Sequence, residues 1–225
     1  MVYKIKDIVS YLEKIAPPSY QESYDNAQLI TGNPHDTLKG VLCSLDATEE
    51  VVDEAISLGC NLIVAHHPIV FKGLKSLTGR NYVEKTVIKA IKNDIAIYAI
   101  HTNLDHVSHG VNKKICEVIG LTNTRILQPK KDLLSKLVTF VPHEASEKVL
   151  KALFDAGAGK IGEYSGCSFL SDGTGTFTPS SQANPHKGIS ESAHREPETR
   201  IEVLLPSYLE KKVLHALRES HPYEE

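Results

Sequence analysis

The chain has 225 residues, 41% of them hydrophobic and 24% charged. That is enough apolar material to bury a core in one large domain or two modest ones, and it excludes a disordered or collagen-like chain. Lys and Arg number 25 against 28 Asp and Glu, a net charge of −3, so the basic excess of a protein held on nucleic acid by phosphate contacts is missing.

Residues 4 to 15 place Ile5, Ile8, Val9, Leu12 and Ile15 at helical spacing, and Pro17 and Pro18 stop the run. The same opening stretch has no apolar signal core, and no apolar run approaches the roughly 18 residues of a membrane helix. A loop of Ser, Tyr and acidic residues then leads to a short strand at Leu29–Thr31 and a buried strand over 40 to 45. Thr48 caps the next helix, with Glu49, Glu50 and Asp53 near its positive end and Gly59 closing it. The apolar run 61 to 65 predicts a strand that feeds straight into His66, His67 and Pro68. A helix over Tyr82 to Asn93, a strand over 95 to 100 running into His101, and a helix over Gly110 to Ile119 follow. Apolar strands alternating with amphipathic helices predict an α/β half-domain around a mainly parallel, buried sheet.

From residue 131 the texture changes, which suggests a division into 1–130 and 131–225. A strand ending at Pro142 is followed by a helix over His143 to Ala156, closed by Gly157. Next come a Gly- and Ser-rich hairpin region over 162 to 179 and a polar stretch over 179 to 198 containing three prolines, read as a surface loop or an excursion between strands. A strand over 200 to 205 and a helix over Ser207 to Ser220 complete the pattern. Strand, helix, strand, strand, helix is a ferredoxin-like α+β plan lacking its last strand. The chain stops at HPYEE, where that strand would begin, so the expectation is a domain incomplete at its C-terminus. Four cysteines (Cys43, Cys60, Cys116, Cys167) form no close pair, which fits a reduced, soluble, cytoplasmic chain.

Eleven histidines are unevenly spread: His66 and His67 adjoin, and His101, His106 and His109 fall within nine positions. Open α/β sheets place ligands in the crevice beyond the carboxyl ends of their strands. His66 and His67 follow one buried strand; His101 and Asp105 follow another. Neighbouring parallel strands about 5 Å apart would bring both groups to one sheet edge, and Pro68 biases His67 toward an extended exit. Imidazoles with one carboxylate suit Zn, Mn, Fe or Co. Adjacent histidines chelate one ion poorly but can hold one each, with Asp105 on either. His101 then orients a ligand or carries a proton. A capped, hydrogen-bonded turn with an ordinary loop acid fits the same spacing, and three ligands are too few for two ions.

The stretches SYDNAQLITGNP (23–34), SLDATEEVVDEAISLGCNLIVAHHPIVF (44–71) and IAIYAIHTNLDHVSHGVN (95–112) resemble the Nif-three-like dinuclear-metal-centre family, often named type 2 GTP cyclohydrolase I homologues. The later region resembles the PII-like or CutA-like insertion of some bacterial members. The resemblance implies a hexameric ring with two divalent ions per subunit, and matches His66, His67 and Asp105 to metal ligands. It also implies a further His and a Glu four positions later, in a C-terminal half beyond the present sequence. Tyr24 stands where the family more often has Trp. His215 and Glu219 share that His-x-x-x-Glu spacing, but on a helix of the insertion region, where an exposed polar face explains them. Asp25 and Asn26 are read as fixing a loop near the site, and Asp46 as a turn or cap residue. His35, His143, His186, His194 and His221 are read as structural or surface residues, and Lys72, Lys75 and Arg80 as a solvated loop in preference to an attractor of anionic substrate. Two functions compete: a metal-dependent hydrolase of a nucleotide or phosphoester-like small molecule, and a non-catalytic metal-binding ring whose PII-like part senses or gates.

Overall fold

The computed structural model describes residues 2–188 and 191–224. It comprises two compact units that divide between Leu127 and Gln128. The first contains α1 (Ile5–Ile15), β1 (Leu29–Thr31), β2 (Val41–Ser44), α2 (Glu49–Ser57), β3 (Leu62–Ala65), α3 (Tyr82–Lys92), β4 (Ala96–Ala99), α4 (Thr102–His106) and α5 (Val111–Val118). Its sheet runs β1-β4-β3-β2. β2, β3 and β4 are parallel, with Ser44, Ala65 and Ala99 in register at their ends, while β1 runs antiparallel to β4.

Continuous apolar runs become central strands because both sheet faces are covered. Ile63, Ala65 and Ile97 pack with Val52, Ala55, Val87 and Ala90 from α2 and α3. Leu62, Val64, Ala96 and Tyr98 point the other way, onto Ile5, Ala16 and Val107. Every residue of β3 and β4 is buried. Thr48 caps α2 through the Val51 amide and Asn81 caps α3 through the Glu84 amide, each satisfying a donor that a helix start leaves without a partner.

The second unit contains β5 (Leu134–Pro142), α6 (Ser146–Ala156), β6 (Phe169–Phe177), β7 (His194–Pro206) and α7 (Glu210–Ser220). Its antiparallel sheet runs β5-β7-β6, three strands of the ferredoxin-like plan. Val141, Ile201, Val203 and Leu205 face Val149, Leu150 and Leu153 of α6 and Val213 of α7. β7 begins at His194, so its first residues belong to the sheet where sequence composition suggests a loop. Residues 194 to 197 pair only with β6, and pairing with β5 starts at Glu198. Pro197 therefore sits where one strand edge has no partner, which is where a missing N–H is tolerated. Among the described residues no helix is long and apolar enough to cross a membrane.

The loop from β3 to α3 is tied down by one carboxylate. Glu84, only 5% exposed, accepts hydrogen bonds from the Thr78 amide (2.9 Å), the Thr78 hydroxyl (3.1 Å), the Arg80 amide (3.1 Å) and Asn81 Nδ2 (3.1 Å). The Thr78 and Arg80 amides outweigh burial and hold its carboxyl below the ordinary glutamate value. A depressed folded pKa means stability that is fully present above the unfolded value of about 4.3. It is lost as pH falls through the folded value. Glu84→Gln is therefore expected to lower the urea midpoint at neutral pH and to flatten the acid limb of the stability curve. Urea titrations of both proteins across that range check this, and parallel acid limbs would contradict it.

Candidate metal centre

The flush ends of β2, β3 and β4 carry the chemistry. Beyond β3 the parallel ladder continues: the His66 amide donates to the Ser44 carbonyl (3.1 Å) and the His67 amide to the Leu45 carbonyl (2.9 Å). One strand over, the Ile100 amide donates to the Ala65 carbonyl (2.9 Å). Successive residues of a regular strand point to opposite faces. The backbone bends at both His66 and His67, and their ring centroids lie 4.9 Å apart. The His101 ring completes the group at 5.2 Å from His66 and 5.5 Å from His67. One nitrogen from each of the three lies within 4.8 Å of the others.

Hydrogen bonding fixes which nitrogen is free. His66 Nδ1 lies 3.0 Å from the Ile100 carbonyl oxygen, an atom that only accepts, so Nδ1 carries the proton and Nε2 keeps its lone pair. His67 Nδ1 is 2.8 Å from Asp46 Oδ1, and His101 Nδ1 is 2.8 Å from Asp25 Oδ1. Ionised carboxylates are likewise acceptors only. All three imidazoles thus present bare Nε2 atoms, the arrangement that acceptors behind a ligating histidine enforce.

Asp25 is the most enclosed of these acceptors, its side chain being 0% exposed. It also accepts from the Thr102 hydroxyl, the Thr102 amide (3.1 Å) and the Asn26 amide (2.7 Å). Burial by itself would raise its pKa, but the hydrogen bonds from Thr102, His101 and Asn26 together hold it below the usual aspartate value. Reaching Thr102 across 77 positions, Asp25 pins the start of α4. Asp105 lies on that helix with Oδ1 3.9 Å from His66 Nε2. Gly110, after the helix, has no room for a Cβ, which would run into the Leu104 carbonyl oxygen.

Of the residues picked from sequence, His66 and His67 stand together and Asp105 lies beside His66. His101, read as an outer orienting residue or proton carrier, stands nearly as close to the pair as they do to each other. Asp46, read as a turn or cap residue, instead holds the His67 ring; its place two residues after β2, at the same sheet edge, is the signal that could have revealed this. His106 turns away, with Nδ1 2.8 Å from the Tyr20 carbonyl oxygen, and His109 is exposed. His215 and Glu219 are exposed on α7, in the other unit. Lys72 and Lys75 are exposed, and Arg80 donates to Ser76 Oγ at 2.6 Å.

Residues 3–193 match the family described as Duf34/NIF3 (NGG1p interacting factor 3). A Bacillus subtilis protein named GTP cyclohydrolase 1 type 2 homolog is 41% identical over 221 residues, covering 98% of this chain and 59% of its own length. The protein of that name from Halalkalibacterium halodurans is 42% identical over 219 residues, covering 97% and 59%. A solved Bacillus cereus protein related to NIF3 shows 44% identity and a TM-score of 0.85, covering 100% of this chain and 60% of that one. The chain spans about three fifths of the length of these relatives.

The hydrogen-bond pattern makes a ligand-free prediction. Side-chain 15N NMR under conditions where the imidazoles are neutral should find Nδ1 protonated and Nε2 bare in His66, His67 and His101. Asp46→Ala should relax that preference in His67 alone. Protonated Nε2 in His66 of the parent protein would contradict the reading.

Proposed function

The chain belongs to the Duf34/NIF3 family, and we propose that it carries the metal-holding half-site of a metal-dependent hydrolase acting on a nucleotide or phosphoester-like substrate. The observation that carries the reading is the gathering of three imidazoles at one sheet edge, one nitrogen of each within 4.8 Å of the others and each ring backed by an acceptor on Nδ1. His66, His67 and Asp105 are the ligands in this reading. The donor set fits divalent Zn, Mn, Fe or Co rather than Ca or Mg. Bound there, divalent ions supply Lewis acidity and lower the pKa of water toward neutrality. Asp46 and the Ile100 carbonyl hold the two ligand rings. His101, with Asp25 behind it, takes up a proton at Nε2, and the covered carboxylate stabilises the imidazolium so formed. Two imidazoles and one carboxylate are too few donors for two ions, so the dinuclear centre needs the further His and Glu that the resemblance places in a second half. The hexameric ring is proposed on the same ground. The relatives' name puts GTP first among the nucleotides to test.

A second reading, a non-catalytic metal-binding ring with a sensing or gating unit, draws support from one feature. A cavity of about 1160 Å³ lies in the second unit, and Glu198, Arg200, His186 and Tyr223 line part of it.

Loading a protein that carries both halves with Mn, Zn or Fe and screening nucleotides and phosphoesters should give metal-dependent turnover that falls at least about 100-fold in His67→Ala, through loss of a ligand to the ion that activates water. Turnover equal in the parent and His67→Ala would defeat the hydrolase reading. Asp46→Asn should weaken metal binding about 10- to 100-fold, as loss of a partner behind a ligand does, and His215→Ala should leave it unchanged. Competition with a chromophoric chelator measures both.

A further inference from the structure

Two aromatic rings stand exposed on the segments that lead from Asp25 and from His67, and neither the fold nor the metal reading uses them. Tyr24 is 64% exposed and Phe71 47% exposed, although burial of an aromatic ring is strongly favourable. They touch each other, with ring centroids 6.3 Å apart and planes inclined by 55°. Both are anchored to the cluster by short covalent paths. Tyr24 precedes Asp25, whose carboxylate holds His101. Phe71 follows Val70, whose carbonyl accepts from Asn26 Nδ2 at 2.6 Å, and it lies four residues after His67. The backbone on both sides of the pair is therefore fixed to the same sheet edge as the imidazoles. Next to Phe71 the chain is cationic: Lys72 and Lys75 are exposed.

We infer that Tyr24 and Phe71 form an aromatic corner for the planar heteroaromatic ring of a small anionic ligand, the ring lying on the face of one and against the other, with its anionic group attracted by Lys72 and Lys75 and its reactive end toward the histidine cluster. The ligand class is that of a nucleotide, a ring joined to phosphate. The inference deepens the hydrolase reading and rests on it only for what happens at the reactive end; stacking itself requires no metal. The rings contribute through their π faces, which accept any base, so the corner favours ring-bearing over ring-less phosphates and discriminates weakly among bases. Tyr24 and Phe71 are positioning residues.

The experiment compares GMP with ribose 5-phosphate by calorimetry on the chain, without metal and loaded with Mn²⁺. GMP should bind at least about fivefold more tightly in both states. Tyr24→Ala and Phe71→Ala should each weaken GMP by about 5- to 150-fold, the value of one base stacked on one aromatic ring. Neither should alter ribose 5-phosphate binding or the metal content, and Tyr24→Trp should retain GMP affinity. Equal affinity for GMP and ribose 5-phosphate, or unchanged GMP binding in both alanine variants, overturns the inference. So does a pair of alanine variants that dissociate an oligomer in light scattering while binding GMP normally, which would assign the patch to a protein partner. Ring preference without any bound metal supports the corner while removing the metal reading, so the two fail separately.

Discussion

The in-register parallel pairing of β2, β3 and β4 is the constraint on which the candidate centre depends. Ser44, Ala65 and Ala99 form one row across the sheet, so whatever follows those residues emerges at one edge. A slip of a single residue would turn each strand's side chains to the opposite face and carry the His66–His67 step away from His101. Register is in turn secured by burial on both faces, since no residue of β3 or β4 could be turned toward water without exposing apolar surface. The position of three polar rings is thus set by apolar packing well below them.

That division explains what could be read from the residues and what could not. The strands carrying the centre are legible as uninterrupted apolar runs, and their helices as 3.6-residue patterns between a cap and a glycine, because those signals are local. The pairing of His66 with His101 follows from the general rule that ligands gather at the carboxyl ends of parallel strands. The outer acceptors are less legible. Asp46 lies twenty residues before the nearest predicted ligand, His66, and only the parallel bonds from the His66 and His67 amides to Ser44 and Leu45 bring it to the His67 ring. α4 escapes sequence reading for a related reason. Five residues have little propensity to be helical alone, and this turn is held by Asp25, which binds the Thr102 amide and hydroxyl from far away in sequence. In the second unit, the early start of β7 depends on its neighbour β6 and contradicts the proline in its own sequence.

The electrostatics of the centre are uneven. His101 is 19% exposed against a covered Asp25 carboxylate, whereas His67 is 47% exposed against an Asp46 that faces solvent. Water screens the second pair far more than the first, and exposed pairs contribute little to order. The Asp25–His101 arrangement also anchors α4 and the loop bearing Tyr24, so disturbing it moves backbone as well as charge. The Asp46–His67 pair ties no other element down. One side of the centre is therefore built before any ligand arrives, and the other can adjust. Preorganised donors are most effective where they need no rearrangement at the moment of reaction, and in the proposed function the adjustable, solvent-facing side is where an ion or substrate enters without opening the core. In the proposed centre His101 and Asp25 are thus the fixed reference and His67 the entrance, an asymmetry that arises from burial and from the Thr102 and Asn26 hydrogen bonds that hold Asp25.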